Sequence, residues 1–572
     1  MQFCLSDRPF HKRMITRYTV TGYTGYWIYK GDHMQVLQKH PQLRWVIGVA
    51  AMFWLICSGL VLHRYNNFFP TFVSFDQGIF NQVFWNSLHG QWFQSSLSST
   101  ESVAVMQGSL PEVFYRRLGQ HFTPALLLWL PWYALFSSAA GLSVLQVTLI
   151  TAAGLVLYGL ARHYHPPKLA MMITVSYYGA IALISPTLAN FHDICQIPLY
   201  AFGLFLALEK RRWWLVWLLA ILILAVREDS GVVLFGIGFY LLVSRRFPWI
   251  GISFCVLSLG YMLALTNLIM PLFSDDLSGR FMVEQFGQFV GGEKASTLDV
   301  IGAILRNPGR LIIQLLTPPE ATVRYLLGQW VPLAFIPIIS VDAWLLAGFP
   351  IFKTLIQNDP TALSLHLRYA QTWIPGLFYG VILWWAKHPH LFRFRFQKIW
   401  VGCIILSLFF TVTANPNRAL SFIIPDSIQP WVYFSLPRQW EHADAVRSLL
   451  AKIPDNASVT ATDHIVAHVS GRRQVLRFPM VQFRNDEQQA AWVEYAIADL
   501  WYLQQSQVAF DDYRQTLIAN EKAITRLLKK RFDGERYGII GFQDDVVLMQ
   551  RGVKSQREAL AKWKAYQKKS EL

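Results

Sequence analysis

The chain has 572 residues, of which 53% are hydrophobic, 15% aromatic and 15% charged, with mean hydropathy +0.30 and a formal net charge of +16. This composition lies on the membrane side of the soluble average and excludes an ordinary water-soluble domain. The basic excess does not point to nucleic acid, because Lys and Arg fall in short clusters between apolar runs, the pattern of loops facing anionic lipid. The cysteines, Cys4, Cys57, Cys195, Cys255 and Cys403, are too scattered for a disulfide framework or a zinc site.

Residues 1–44 are polar and basic, with Lys12, Arg13, Arg17, Lys30 and Lys39, and read as a cytosolic tail without regular structure. No apolar stretch lies near enough to the start for a cleaved signal peptide, so the first apolar run, 45–62, is expected to be a retained span. A start at Met34 instead of Met1 changes nothing in this reading. The basic loops 162–168, 210–212, 245–246 and 387–398 are expected on the cytoplasmic side. Parity then keeps 122–136 from crossing, since a crossing there would put Arg162 outside. That piece is short, is broken by Pro131 and carries Trp129, Trp132 and Tyr133, so it reads as a helix lying in the outer interface. Spans over 142–160, 169–188, 197–208, 213–226, 231–243, 249–270, 325–339, 341–355, 372–385 and 400–413 alternate without conflict, which with the first gives about eleven crossings. The segment 271–321 falls outside and includes an amphipathic surface helix at 298–316.

Residues 416–572 differ in kind. Strand-like runs at 458–462, 474–478, 537–542 and 546–550 alternate with helix-like ones at 441–452 and 513–531, a soluble α/β pattern, and Gln543-Asp544-Asp545 makes a short turn between two of the strands. The basic end, 554–569, reads as a solvated tail. The expected fold is therefore mainly α: a polytopic bundle over 45–415, with interfacial helices in a first outer loop (63–141), followed by an extracytoplasmic α/β domain. The expected location is the plasma (inner) membrane, with the N-terminus cytoplasmic.

Parity gathers a set of ionisable residues at the outer face: Asp76, His89, Glu101, Glu112, Arg116, Arg117 and His121 in the first loop, then His192 with Asp193, then Arg227, Glu228 and Asp229. Ionisable groups at membrane depth cost several kcal/mol unless paired or wet, so they mark functional sites by default. Asp76 precedes an amphipathic stretch and is either a helix N-cap or a general base held ionised at a helix start, two roles that do not exclude each other. His121 is either an interfacial histidine satisfied by backbone or, with Arg116 and Arg117, part of a phosphate site. His192 and Asp193 form a turn or a pair in which the carboxylate orients the ring. His192, Asp193, Glu228 and Asp229 are the candidates for a divalent cation, on a spacing that is not diagnostic. Trp85, Trp92, Phe68 and Phe69 suit either sugar stacking or an interfacial belt.

Taken together, Phe75-Asp76-Gln77-Gly78-Ile79-Phe80-Asn81-Gln82, Gly119-Gln120-His121-Phe122-Thr123-Pro124, Phe191-His192 with Pro198, and Glu228-Asp229-Ser230-Gly231 resemble the recurrent blocks of a bacterial, cyanobacterial-type family of predicted polytopic membrane proteins of unknown function. That family is similar in layout to the GT-C glycosyltransferases, which take a sugar from a polyprenyl-phosphate carrier at the outer face. The resemblance implies that Asp76 deprotonates, or positions, an acceptor hydroxyl for inversion at the anomeric carbon. It also implies a sugar-binding and phosphate-binding set from His121, Arg116, Arg117, His192, Asp193, Arg227, Glu228, Asp229, His366, Arg368 and Tyr369. Membrane lipid would surround the carrier, and the acceptor would be an extracytoplasmic lipid, glycan or protein. The chain departs from the pattern in having Gln77 where a second acid often stands, Arg227 in place of Lys, and a loosened His366-Leu367-Arg368-Tyr369 in place of a His-Tyr pair. The absent acid puts metal dependence in question.

The competing reading is a transporter or lipid flippase, which would place its charges near the midplane of two related halves. Here they gather at one face, the halves are unlike, and no P-loop pattern occurs. A non-enzymatic assembly or sensor protein is the third reading.

Overall fold

The computed structural model describes residues 41–70, 74–274, 285–290, 297–359 and 361–570. Most of the expected basic tail and parts of the segment 271–321 lie outside the described residues. The principal helices of the first part are α1 (Pro41–Asn66), α2 (Ser74–Leu88), α3 (Ala139–Tyr164), α4 (Pro167–Tyr178), α5 (Ile181–Thr187), α6 (Ile197–Glu209), α7 (Trp213–Val226), α8 (Gly231–Val243), α9 (Pro248–Ala264), α10 (Thr297–Arg306), α11 (Pro308–Leu315), α12 (Pro319–Trp330), α13 (Val341–Leu355), α14 (Ile374–Lys387) and α15 (Phe394–Thr413).

Among the described residues, α1, α3, α9 with the turns that extend it, and α15 are long and apolar enough to cross a membrane, and α4 with α5 makes a fifth if the bent pair is one span. α6, α7, α8, α13 and α14 have 13 to 15 residues, about 20 Å of helix against a hydrocarbon core of about 30 Å. The count of about eleven crossings therefore rests on parity and not on helix length. α6 packs against α3, α7 and α14 and is buried on most of its surface. α9 and α15 instead expose Val256, Leu268, Ile405 and Phe409, as a lipid-facing rim requires.

The break between α4 and α5, a bend of 48°, is stabilised from a distance. Ser407 of α15 donates through Oγ to the Gly179 carbonyl at 2.8 Å and accepts from the Ile181 amide at 3.3 Å. The backbone groups freed by the break thus have a partner where no water is available.

Two expected elements take a different form. The surface helix expected at 298–316 is two helices, α10 and α11, because Pro308 cannot donate to the preceding turn and restricts Asn307. The span expected at 325–339 is not one helix. α12 ends at Trp330, and Ala334 and Phe335 turn the chain in left-handed conformations, with φ of 51° and 62°.

All named strands lie between 427 and 551. The sheet takes β1 (Val459–Ala461), β2 (Val475–Arg477), β3 (Tyr495–Asp499), β4 (Tyr537–Gln543) and β5 (Val546–Arg551) in the order β2-β1-β3-β5-β4. β1 runs parallel to both β2 and β3, while β5 is antiparallel to β3 and β4. The β4–β5 turn places Asp544 and Asp545 at φ 47° and 61°, the double left-handed geometry of a two-residue hairpin. Around the sheet lie α16 (Leu436–Leu450), α17 (Asp463–Val469), α18 (Asp511–Lys529) and α19 (Arg557–Ser570). α17 packs on α2 of the bundle. The approach is close: a Cβ on Gly78 would stand 2.4 Å from Val466 Cγ1.

Candidate active site

α2 carries Asp76 to the junction of the bundle and the sheet domain. Asp76 is the third residue of α2, so it lies in the first turn and is not the N-cap. In that turn a carboxylate interacts favourably with the amide dipoles. Its side chain keeps 26% of its surface open, and among the described residues its ion-pair partner is Arg368, whose Nη1 stands 3.4 Å from Oδ2. The next residue, Gln77, donates through Nε2 to the Ala139 carbonyl at 2.9 Å and to Ser143 Oγ at 2.7 Å. An acid at position 77 would lose both bonds, so Gln77 serves to fasten α2 to α3.

Cations surround this turn from three directions. Arg117 is buried over the Phe80 ring, 4.9 Å from its centroid, and donates to Ser98 Oγ at 3.2 Å. Arg368 leans on Tyr369, 5.4 Å from the ring centroid. Arg477, at the end of β2, lies 4.6 Å from the Phe75 ring centroid, pairs with both oxygens of Asp463 at 2.8 Å, and reaches Glu101 at 3.9 Å. Burial and the nearby Asp76 carboxylate push Glu101 up to about 7, against the pull of Arg117 and Arg477. The sheet domain therefore supplies part of the electrostatics around Asp76.

A second cluster lies behind Phe80. Glu228 accepts from the His121 ring Nδ1 at 2.9 Å and from the Phe122 amide at 2.9 Å. Arg227 Nε reaches Glu228 at 3.3 Å and Asp229 at 3.4 Å, and Asp229 also pairs with Lys353 of α13. Burial and Arg227 lower the His121 pKa against the pull of Glu228, so the ring is neutral at pH 7. His192 pairs with its neighbour Asp193, and its ring lies 5.0 Å from Phe80. Gln146 positions this turn, accepting from the His192 amide at 3.0 Å and donating to the carbonyls of Pro186, Thr187 and Asn190.

The model for the family described as "Predicted membrane protein (DUF2079)" matches residues 64–548. The chain belongs to that family. No curated protein matches it. Among solved structures it is similar to the crystal structure of ArnT from Cupriavidus metallidurans bound to undecaprenyl phosphate, at 12% identity and TM-score 0.45 over 89% of this chain and 98% of that one. It is also similar to the Archaeoglobus fulgidus oligosaccharyltransferase complex with Zn and sulfate, at 14% identity and TM-score 0.40 over 82% of this chain and 70% of that one. The family is the one that the sequence blocks resemble.

Not every residue singled out from the sequence converges in this DUF2079 protein. Arg116 points away from Arg117, pairs through its backbone with Gln94 and lines a separate depression with Phe273 and Ser274. His366 borders a cavity of 400 Å³ with Asn415, Asn417, Arg418 and Tyr513, apart from Asp76 although Arg368 is two residues on. Asn415, Asn417 and Arg418 all take left-handed backbone conformations there, with φ between 42° and 56°. His89 stacks on Trp85 at 3.9 Å. The four residues considered for a divalent cation form no common ligand set. Among the described residues no three His, Cys, Asp or Glu side chains are placed to hold a metal ion, and Arg227 and Lys353 already neutralise Glu228 and Asp229.

Sequence reasoning missed Lys353, Arg477 and Asp463. Lys353 is the single cation of an otherwise apolar α13 beyond Asp342, a signal of the same kind that marked the Arg227 triplet.

Proposed function

We propose that this protein is a membrane glycosyltransferase that moves a sugar from a polyprenyl-phosphate carrier to an extracytoplasmic acceptor with inversion at the anomeric carbon. The observation that supports this reading best is the state of Asp76. It is partly open, sits in the first turn of a helix, has one long ion pair among the described residues, and has Arg117, Arg368 and Arg477 around it. Such a carboxylate has lone pairs to spare for a substrate hydroxyl.

Asp76 takes the proton of the acceptor hydroxyl as that oxygen bonds to the anomeric carbon. The bond from that carbon to the carrier phosphate breaks, and the phosphate oxygen keeps the electron pair. Arg368 and Arg117 offset the charge that builds on the leaving phosphate. The His121–Glu228–Arg227–Asp229–Lys353 cluster is internally neutralised and holds the turns on either side of the site in place. The polyprenyl carrier is drawn from the sequence blocks, and an outward-facing site from the charge of the loops.

The test uses purified protein in lipid with a panel of radiolabelled polyprenyl-phosphate sugars and membrane extract as acceptor. Release of free carrier phosphate that is lost in Asp76→Asn while carrier binding persists is the expected result. No release with any carrier, together with full function of Asp76→Asn in cells, would overturn it and favour transport.

A further inference from the structure

On the sheet domain, away from Asp76, a groove of 670 Å³ runs between α18 and the first-loop segment around Leu110 and Pro111. That volume suits a ligand of several residues. One wall presents Lys522 and Arg526, one helical turn apart on α18, and Lys530, which follows the last residue of that helix in an extended conformation. All three are exposed, none makes an ion pair within the described residues, and none of the described residues lining the groove carries a carboxylate. Three exposed cations on a concave surface whose lining holds no carboxylate favour negative charge there. The facing surfaces carry the half-buried indole of Trp492 and the amide of Gln482, an apolar plate beside a hydrogen-bonding group.

We infer that this groove binds an acidic saccharide chain through Lys522, Arg526 and Lys530, with a sugar ring against Trp492. Several cations along one wall match a ligand that carries more than one negative group along a chain, and an indole face fits the C–H side of a pyranose ring. A flat lipid surface would be met by a convex basic patch, whereas these cations lie within a groove whose opposite wall is the first loop. At its first-loop end the groove meets a second depression of 510 Å³ that shares Leu110 as a wall and contains Arg116, Tyr115 and Gln94. The inference concerns binding and does not depend on the transferase reading.

The test measures binding of tetragalacturonate, with maltotetraose as the neutral control, to the full-length protein in phosphatidylcholine nanodiscs. Tetragalacturonate is expected to bind, more weakly as salt rises, and maltotetraose not to bind. Replacing Lys522, Arg526 and Lys530 together by Gln should weaken binding at least tenfold. Trp492→Ala should weaken it several-fold while leaving its salt dependence. Asp76→Asn should bind as the parent does, which separates this result from any failure of turnover. Equal binding by the triple variant, equal binding of the neutral oligosaccharide, or no binding of tetragalacturonate would each overturn the inference. So would binding confined to phosphatidylglycerol vesicles and lost in the triple variant, which would make these cations a lipid contact.

Discussion

Asp76 and Asp499 are both aspartates, one in the bundle and one in the sheet domain, and their surroundings could hardly differ more. Asp499, at the end of β3, is 1% exposed and accepts from His442 Nε2 at 2.8 Å, His464 Nε2 at 2.7 Å and the Trp501 amide at 2.9 Å. His442 in turn donates through Nδ1 to Asp544 at 2.8 Å, and Arg438 grips Asp544 with two bonds while lying 4.6 Å from the Trp501 ring centroid. Every strong hydrogen-bonding position along this chain of groups is taken. Among the described residues Asp76 has one ion-pair partner, at 3.4 Å, and a quarter of its surface is open. A saturated carboxylate holds a domain together, and an unsaturated one ringed by arginines is available for chemistry. Charge and burial alone would have ranked Asp499 first.

The sharpest way to break this contrast is to remove the charge of each acid. Asp76→Asn is expected to lower glycosyl transfer by about 10²- to 10⁴-fold, the usual span for a lost general base, with thermal stability close to the parent. Radiolabel transfer and a melting curve on the same preparation check both halves. Asp499→Ala is expected to do the reverse. Removing one member of a buried ion network costs about 3–5 kcal/mol, which should show as faster amide hydrogen exchange in β3 and β5. A stable Asp499→Ala protein with no activity would invert the assignment of the two acids.

How much of this was legible in the sequence follows the same division. α7 and α8 fall at the expected 213–226 and 231–243, because Arg212 and the Arg227 triplet end each apolar run abruptly. Asp76 stood out because an acid is costly beside membrane helices. β3 was missed although it is the centre of the sheet. It is five residues long and buried on both faces, so it shows none of the alternation that reveals a half-exposed strand. The α4–α5 break was equally hidden, since Ser407, which stabilises it, is more than two hundred residues away. The His442–Asp499 network joins α16, β3 and the β4–β5 turn, and nothing in the local sequence of any of them announces the others.

The contrast can be sharpened with pH. Burial lowers a histidine pKa, but Asp499 and Asp544 outweigh it and raise His442 from the ordinary 6.5 to about 9. The sign follows from linkage: the folded domain holds this proton more tightly than the unfolded chain. The stabilisation is therefore fully present below about 6.5 and is lost as pH rises through about 9. It amounts to about 3 kcal/mol. Hydrogen exchange in β5 should show stability falling across that window in the parent and little change in His442→Gln, which is already destabilised at pH 6. Asp499 is held well below the usual carboxylate range by the two histidines, so its own contribution fails only in strong acid. A stability that is flat from pH 6 to pH 9 in the parent would mean that His442 is neutral in the folded domain.

The smallest expected effect tests whether the two regions act as one. Gly78 lets α2 approach α17 so closely that a methyl group at that position meets Val466 Cγ1 at 2.4 Å and the Ala467 amide at 3.4 Å. Gly78→Ala improves the intrinsic helix propensity of α2 by about 1 kcal/mol but overpacks the junction by about 1–3 kcal/mol, so the net change is a modest loss. Val466→Ala removes the atom in the way, and the double variant should recover both stability and transfer. The informative quantity is the activity of Gly78→Ala alone. If Arg477 and Asp463 contribute to the field at Asp76, displacing α17 by a few tenths of an ångström should lower transfer more than it lowers stability. If transfer falls only in proportion to folded protein, the sheet domain is a support for α2 and not a participant at Asp76.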